Sequence, residues 1–199
     1  MNKPVSIDLF VEDSAHEKFV KAMIERLARE RQKNVAVQVR SARGGYPRAL
    51  HELKTYQERV LQGHGGLILP DLLVAVIDAN CKRFAAVKSA IENDILPGFA
   101  DRTIVACPDP HVEVWYLCDK SAFQKAVGVT PTMKKGKCQR HYYKGVLAQA
   151  VTAAGHPPML GGIEFAREIV ECMDLYPAGK TEQSLKHFLD DLQRKLSSF

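Results

Sequence analysis

Three acidic residues stand just past apolar runs that have the composition of buried strands. Glu12 follows Val5–Val11, Asp78 follows the run 72–77, and Glu113 lies beyond the run 103–107. An acid at a strand end is fixed by the strand yet reaches solvent at its tip. Open α/β sheets carry their ligand sites at that carboxyl rim. Carboxylates that face one another repel and resist ionisation. A hard cation removes the repulsion, and Mg²⁺ takes one or two carboxylates with waters and phosphate oxygens. Such a cation activates water and neutralises charge on a phosphodiester.

Plainer roles compete for the same residues. Asp78 suits the N-cap of the next helix. The segment Ser14-Ala15-His16-Glu17 has capping-box spacing, so Ser14, Glu17 and Asp13 serve to start a helix. Glu12 precedes that cap and is left to face the strand ends. His16 reads as a solvated first-turn residue, and Trp115 as a core residue. His111 and Glu113 suit either function or capping, in a helix that begins near Pro110.

Cationic residues lie on two loops. In 41–48, Gly44 and Gly45 join Arg40, Arg43 and Arg48; glycines let amides approach an anion, and arginine binds phosphate in a fork. The stretch 134–144 is the densest basic run, with Tyr142 and Tyr143 among its lysines. Basic side chains with interleaved tyrosines suit a nucleic-acid backbone and an unstacked base. Solvated loops are the alternative in both cases. Arg43, Arg48, Lys82, Lys137 and Lys144 are the expected nucleic-acid contacts.

The elements that must position these groups follow from periodicity. The run 72–77 is apolar without alternation, as in a strand buried on both faces. Residues 34–40 alternate around Val35, Val37 and Val39, as in a strand nearer an edge. Phe19, Val20, Met23, Ile24 and Leu27 recur at helical intervals, and helices are expected over 47–62 and 82–96. Strand and helix alternate to residue 118, which predicts an α/β fold with a mostly parallel, Rossmann-like sheet of about four strands. From about residue 120 no strand-like run occurs. Helices are expected over 121–127, 140–154, 162–173 and 181–196, forming an extension, residues 119–199, packed on an α/β domain, residues 1–118. The last helix is amphipathic, and either closes the core or docks a partner.

Composition sets wider bounds. The 199 residues, 46% apolar, suffice for a substantial core. No apolar run approaches the roughly 20 residues that cross a bilayer, and no signal-peptide pattern is present. Five dispersed cysteines without a CxxC pair argue against a zinc knuckle and a disulfide scaffold, and a cytoplasmic chain with reduced thiols is the simplest reading. The net charge of +5 permits a nucleic-acid partner without demanding one.

Glu after the first strand and an Asp-x-Asp after the third mark the Toprim fold of topoisomerases, primases and overcoming-lysogenization-defect nucleases. Val11-Glu12, Val76-Ile77-Asp78 and Pro108-x-Pro110-x-x-Glu113-x-Trp115 resemble the small RloB-type and related prokaryotic Toprim proteins, over roughly residues 5–118. The resemblance implies a metal-dependent nuclease, a part of a phage-defence system, with nucleic acid (DNA or RNA) and an ATPase encoded nearby as partners. It admits a homo-oligomer and no membrane. Glu12 would be the general base or a ligand, Asp78 and Asn80 ligands of Mg²⁺ or Mn²⁺, and Glu113 a further catalytic acid. Two positions depart from the pattern. Asp13 stands where many of the family have Gly, and Asn80 replaces the second acid, which removes a charge from the site. One rival is therefore a catalytically degenerate binding subunit acting through an ATPase. A receiver-like phosphoacceptor domain is a second rival, disfavoured by the long interval from Glu12 to Asp78 and by the helical tail.

Overall fold

The computed structural model describes residues 3–42, 45–134 and 141–199. Four strands, β1 (Val5–Val11), β2 (Val35–Ser41), β3 (Leu72–Val76) and β4 (Thr103–Ala106), form one sheet in the order β2-β1-β3-β4. All three pairings are parallel. Val11 is in register with both Ser41 and Val76, and Val76 with Ala106, so all four strands end at one rim. The chain leaves β1 toward β2 on one side and returns to β3 on the other. The strand order thus reverses between β1 and β3, and this is where open sheets form a crevice.

Each face of the sheet acquires its own core by alternation. Ile7, Leu9 and Val11 of β1, with Leu72, Val74 and Val76 of β3, meet α1 (Ser14–Glu30). Phe10, Leu73, Ala75 and Ile77 face the opposite way, toward α2 (Tyr46–Leu61) and α3 (Phe84–Asn93). Residues 72–77 have no exposed surface, as expected of a strand covered on both faces. β2 is an edge strand, and its alternating half-buried pattern follows from that position.

The remaining helices are α4 (Glu113–Leu117), α5 (Lys120–Val127), α6 (Tyr142–Ala153), α7 (Ala166–Cys172), α8 (Leu175–Thr181) and α9 (Gln183–Ser197). They share one continuous apolar core with α1 and the sheet. Leu185, Phe188, Leu189, Leu192 and Leu196 of α9 are all buried, so that helix closes the core. Trp115 joins three elements. Its ring stacks on Phe188 at 5.5 Å and tilts against Phe19 at 5.8 Å, and its Nε1–H donates to Ser184 Oγ at 2.8 Å. α8 breaks the expected pattern: Asp174 caps it through the Tyr176 amide, and it contains Pro177 and Gly179, residues that read as a loop. No described helix is long and apolar enough to cross a membrane.

Trp115→Ala removes a fully buried ring and leaves the Ser184 hydroxyl without its indole donor, so unfolding stability is expected to fall by about 3–5 kcal/mol. Urea denaturation followed by circular dichroism measures this, since the only tryptophan is lost. Trp115→Phe keeps most of the ring and is expected to recover a large part of the loss.

Candidate active site at the sheet rim

The site is built on the reversal between β1 and β3. Glu12 is the first residue past β1 and Asp78 the second past β3, and the ends of those two strands, Val11 and Val76, are paired in register. The acids at the two strand ends therefore stand side by side. The third acid arrives by way of the β4 end. Ala79 N–H donates to the Pro108 carbonyl at 2.8 Å and Asn80 N–H to the Pro110 carbonyl at 3.1 Å. These two bonds bind the 108–110 segment to the β3 exit and deliver His111 and Glu113 to the rim.

Asp78 is the hub. Its Oδ1 accepts the Val112 backbone N–H at 3.0 Å and lies 2.8 Å from His16 Nε2, while Oδ2 lies 3.1 Å from His111 Nδ1. Asp78 thus caps the turn leading into α4, not the helix that follows β3. Asp13 Oδ1 is 2.8 Å from His16 Nδ1 and also accepts the amides of Ala15 and His16. With a carboxylate at each ring nitrogen, both nitrogens of His16 must donate, so His16 is an imidazolium.

Two expectations are corrected here. His16 is fully buried, not solvated, and Asp13, not Ser14, is the N-cap of α1. His16 falls three, four and seven residues before Phe19, Val20 and Met23, so it lies on the apolar stripe of α1 and must be buried with it. That periodicity was the available signal.

The ionisation of each group follows from its neighbours. Burial pushes His16 toward the neutral form, but the charges and hydrogen bonds of Asp78 and Asp13 prevail and hold its pKa well above 6.5. Burial raises Asp13 and Asp78, yet His16, with His111 at Asp78, pulls both below the usual carboxylate range. His111 is raised, chiefly by its hydrogen bond to Asp78. Glu12 is raised, first by burial and then by the charge of Asp78. Glu113 is raised by burial, against the opposing effect of Lys144. Lys144 Nζ lies 3.6 Å from Asp13 Oδ2 and 3.7 Å from Glu113 Oε1, so α6 brings a cation to the acids.

A cavity of about 530 Å³ opens over the cluster. Glu12, Asp78, Asn80, Lys82, Glu113 and Lys144 all line it, which gathers six of the residues singled out from the sequence. Asn80 stands at its mouth with φ +47°, and its amide lies 3.4 Å from the Asp78 carbonyl oxygen. Arg48 is drawn away along α2 to Glu52 at 2.6 Å. Arg40 is held on β2 by Asp8 at 3.3 Å and by the Gln38 side chain. Arg43 and Lys137 lie outside the described residues. The cavity also takes in His16's partner Asp13, together with Tyr46 and His141.

The carboxylates suit a hard cation, and two oxygens point to one. Glu12 Oε2 and Glu113 Oε2 are buried without a hydrogen-bond partner among the described residues. Buried polar atoms are otherwise nearly always paired. Among the described residues, no three His, Cys, Asp or Glu side chains are already arranged as a ligand set.

Comparison of the chain with family models, curated proteins and solved structures finds no match.

His16 tests the electrostatic account. Its folded-state pKa lies above the unfolded 6.5, so its stabilisation is complete below pH 6.5 and is lost as pH rises through the raised value. Wild-type stability is therefore expected to decline on the alkaline side. His16→Gln leaves Asp13 and Asp78 without their shared cation, which should cost about 3 kcal/mol or more near neutral pH and flatten the alkaline decline. Urea denaturation across pH reads both effects.

Proposed function

We propose that the chain is a Toprim-type nuclease that hydrolyses phosphodiesters with the help of Mg²⁺ or Mn²⁺. The observation that supports this reading most directly is the pair of unpartnered carboxylate oxygens, Glu12 Oε2 and Glu113 Oε2, buried beside Asp78 in a single cavity. Asp78 and the two glutamates would hold the ion, with Asn80 adding a neutral oxygen from the rim. A divalent ion there supplies charge neutralisation and lowers the pKa of a nearby water.

The protein's own groups account for the other requirements. Glu12, whose pKa is raised, can take a proton from the attacking water. Asp78 is fixed by three hydrogen-bonding partners and keeps its charge. His111, oriented by Asp78 and itself lining the cavity, can hand a proton to the departing oxygen. Lys144 and Lys82 supply positive charge toward the phosphate. The Toprim resemblance further suggests a role in phage defence, with an ATPase encoded nearby and nucleic acid, DNA or RNA, as partners.

Plasmid, single-stranded DNA and RNA incubated with Mg²⁺ or Mn²⁺ test the reading. Cleavage is expected to require the metal, and Glu12→Ala should lower it by more than about a hundredfold. Cleavage that survives the substitution removes Glu12 from the chemistry.

A binding subunit without catalysis is the second reading, and one observation favours it. Asp78 already satisfies three donors, and Lys144 occupies the space between Asp13 and Glu113. Calorimetric titration with Mn²⁺ separates the two. The nuclease reading expects saturable binding that Glu113→Gln weakens, whereas the second expects none.

A further inference from the structure

The cavity has two poles, and the acids form only one. Opposite them stands the start of α2, a helix of 16 residues with Gly45 at its N-cap and Pro47, which has no N–H, in its first turn; among the described residues no side chain caps it. Such a helix start, with the helix dipole behind it, favours an anion. Lys82 lies at the same wall, its ammonium 4.7 Å from the centre of the Tyr46 ring. The helix end is not the sole sign of a ligand. Glu113, a side chain only 2% exposed that lines the same cavity, has its Oε2 without a hydrogen-bond partner among the described residues.

An occupant must therefore meet a cation-seeking pole on one side and an anion-seeking pole on the other. At about 530 Å³ the cavity has the size of a small-ligand pocket, too small for a base pair with both its backbones. We propose that it receives one unpaired nucleotide unit of a single strand. The phosphate next to the scissile one lies against Lys82 and the N-terminal end of α2, and the base lies against Tyr46. This rests on the nuclease reading and narrows its substrate to unpaired nucleic acid. Tyr46 fixes the lysine by cation–π attraction and offers an aromatic surface to an unstacked base.

Fluorescence anisotropy with a labelled oligonucleotide, single-stranded and then annealed to its complement, tests the proposal on the full chain in EDTA. The single strand is expected to bind roughly tenfold more tightly than the duplex. Lys82→Ala and Tyr46→Ala are each expected to weaken it about tenfold, while Tyr46→Phe preserves it. Thermal denaturation checks that the variants remain folded. Duplex binding as tight as single-strand binding overturns the proposal, as do folded Lys82 and Tyr46 variants with unchanged affinity. A free mononucleotide that competes as well as the oligonucleotide overturns it in favour of a small-molecule ligand. These outcomes leave the nuclease reading standing if metal-dependent cleavage is still seen. Absence of both binding and cleavage for every nucleic acid removes the two together.

Discussion

A carboxylate withdrawn from water must find a positive partner, and the whole rim is arranged around one such pairing. His16 lies between Asp13 and Asp78 with a carboxylate on each ring nitrogen. Without that buried imidazolium, Asp13, Asp78, Glu12 and Glu113 would crowd four acids into one crevice, with Lys144, Lys82 and His111 left to offset them. With it, Asp13 and Asp78 keep their charges, while burial first, and the charge of Asp78 after it, raise the proton affinity of Glu12 and Glu113. The acids thus divide into two kinds. One pair is committed to His16, and the other pair retains unpartnered oxygens.

That division depends on elements far apart in the chain. Asp13 and His16 occupy the first turn of α1, directly after β1. Asp78 comes from the β3 exit, and the Val112 amide that steadies it from the entrance to α4. The sheet order places β1 beside β3, and the Ala79 and Asn80 amides bind the 108–110 segment to the same point. Trp115 and Tyr116 then anchor α4 from beneath. Tyr116 donates to the Ala15 carbonyl at 2.8 Å, and Trp115 locks onto α9 through Ser184. The helices after residue 119 therefore contribute to the site twice, by packing under α4 and by presenting Lys144 from α6.

The sheet and its acids were legible because their signals are local. An unbroken apolar run identifies β3, alternation identifies β2, and the acid after each run marks a strand end. Trp115 was legible as core for the same reason. For His16 the Ser-x-x-Glu spacing suggests a solvated first turn, whereas its place on the stripe of Phe19 and Met23 demands burial. α8 reads as a loop because Pro177 and Gly179 are loop formers, and its packing against α9 holds that turn helical. Which cations reach the cavity could not be read from charge density. Arg48 and Arg40 have acids of their own within reach, and Lys144 belongs to a helix whose position is set by distant core contacts.

Asp13 and Asn80, each beside a strand-end acid, have different physical roles. Asp13 supplies both the α1 cap and one of the two carboxylates that hold His16 charged. Asn80 adopts φ +47°, a backbone conformation that asparagine tolerates better than most residues. The charge of Asp13 is held by His16 inside the fold, whereas Asn80 brings a neutral side chain to the cavity. The rim is therefore tied most strongly in its interior, around Asp78 and His16, and the carboxylate oxygens left without a hydrogen-bond partner among the described residues belong to Glu12 and Glu113.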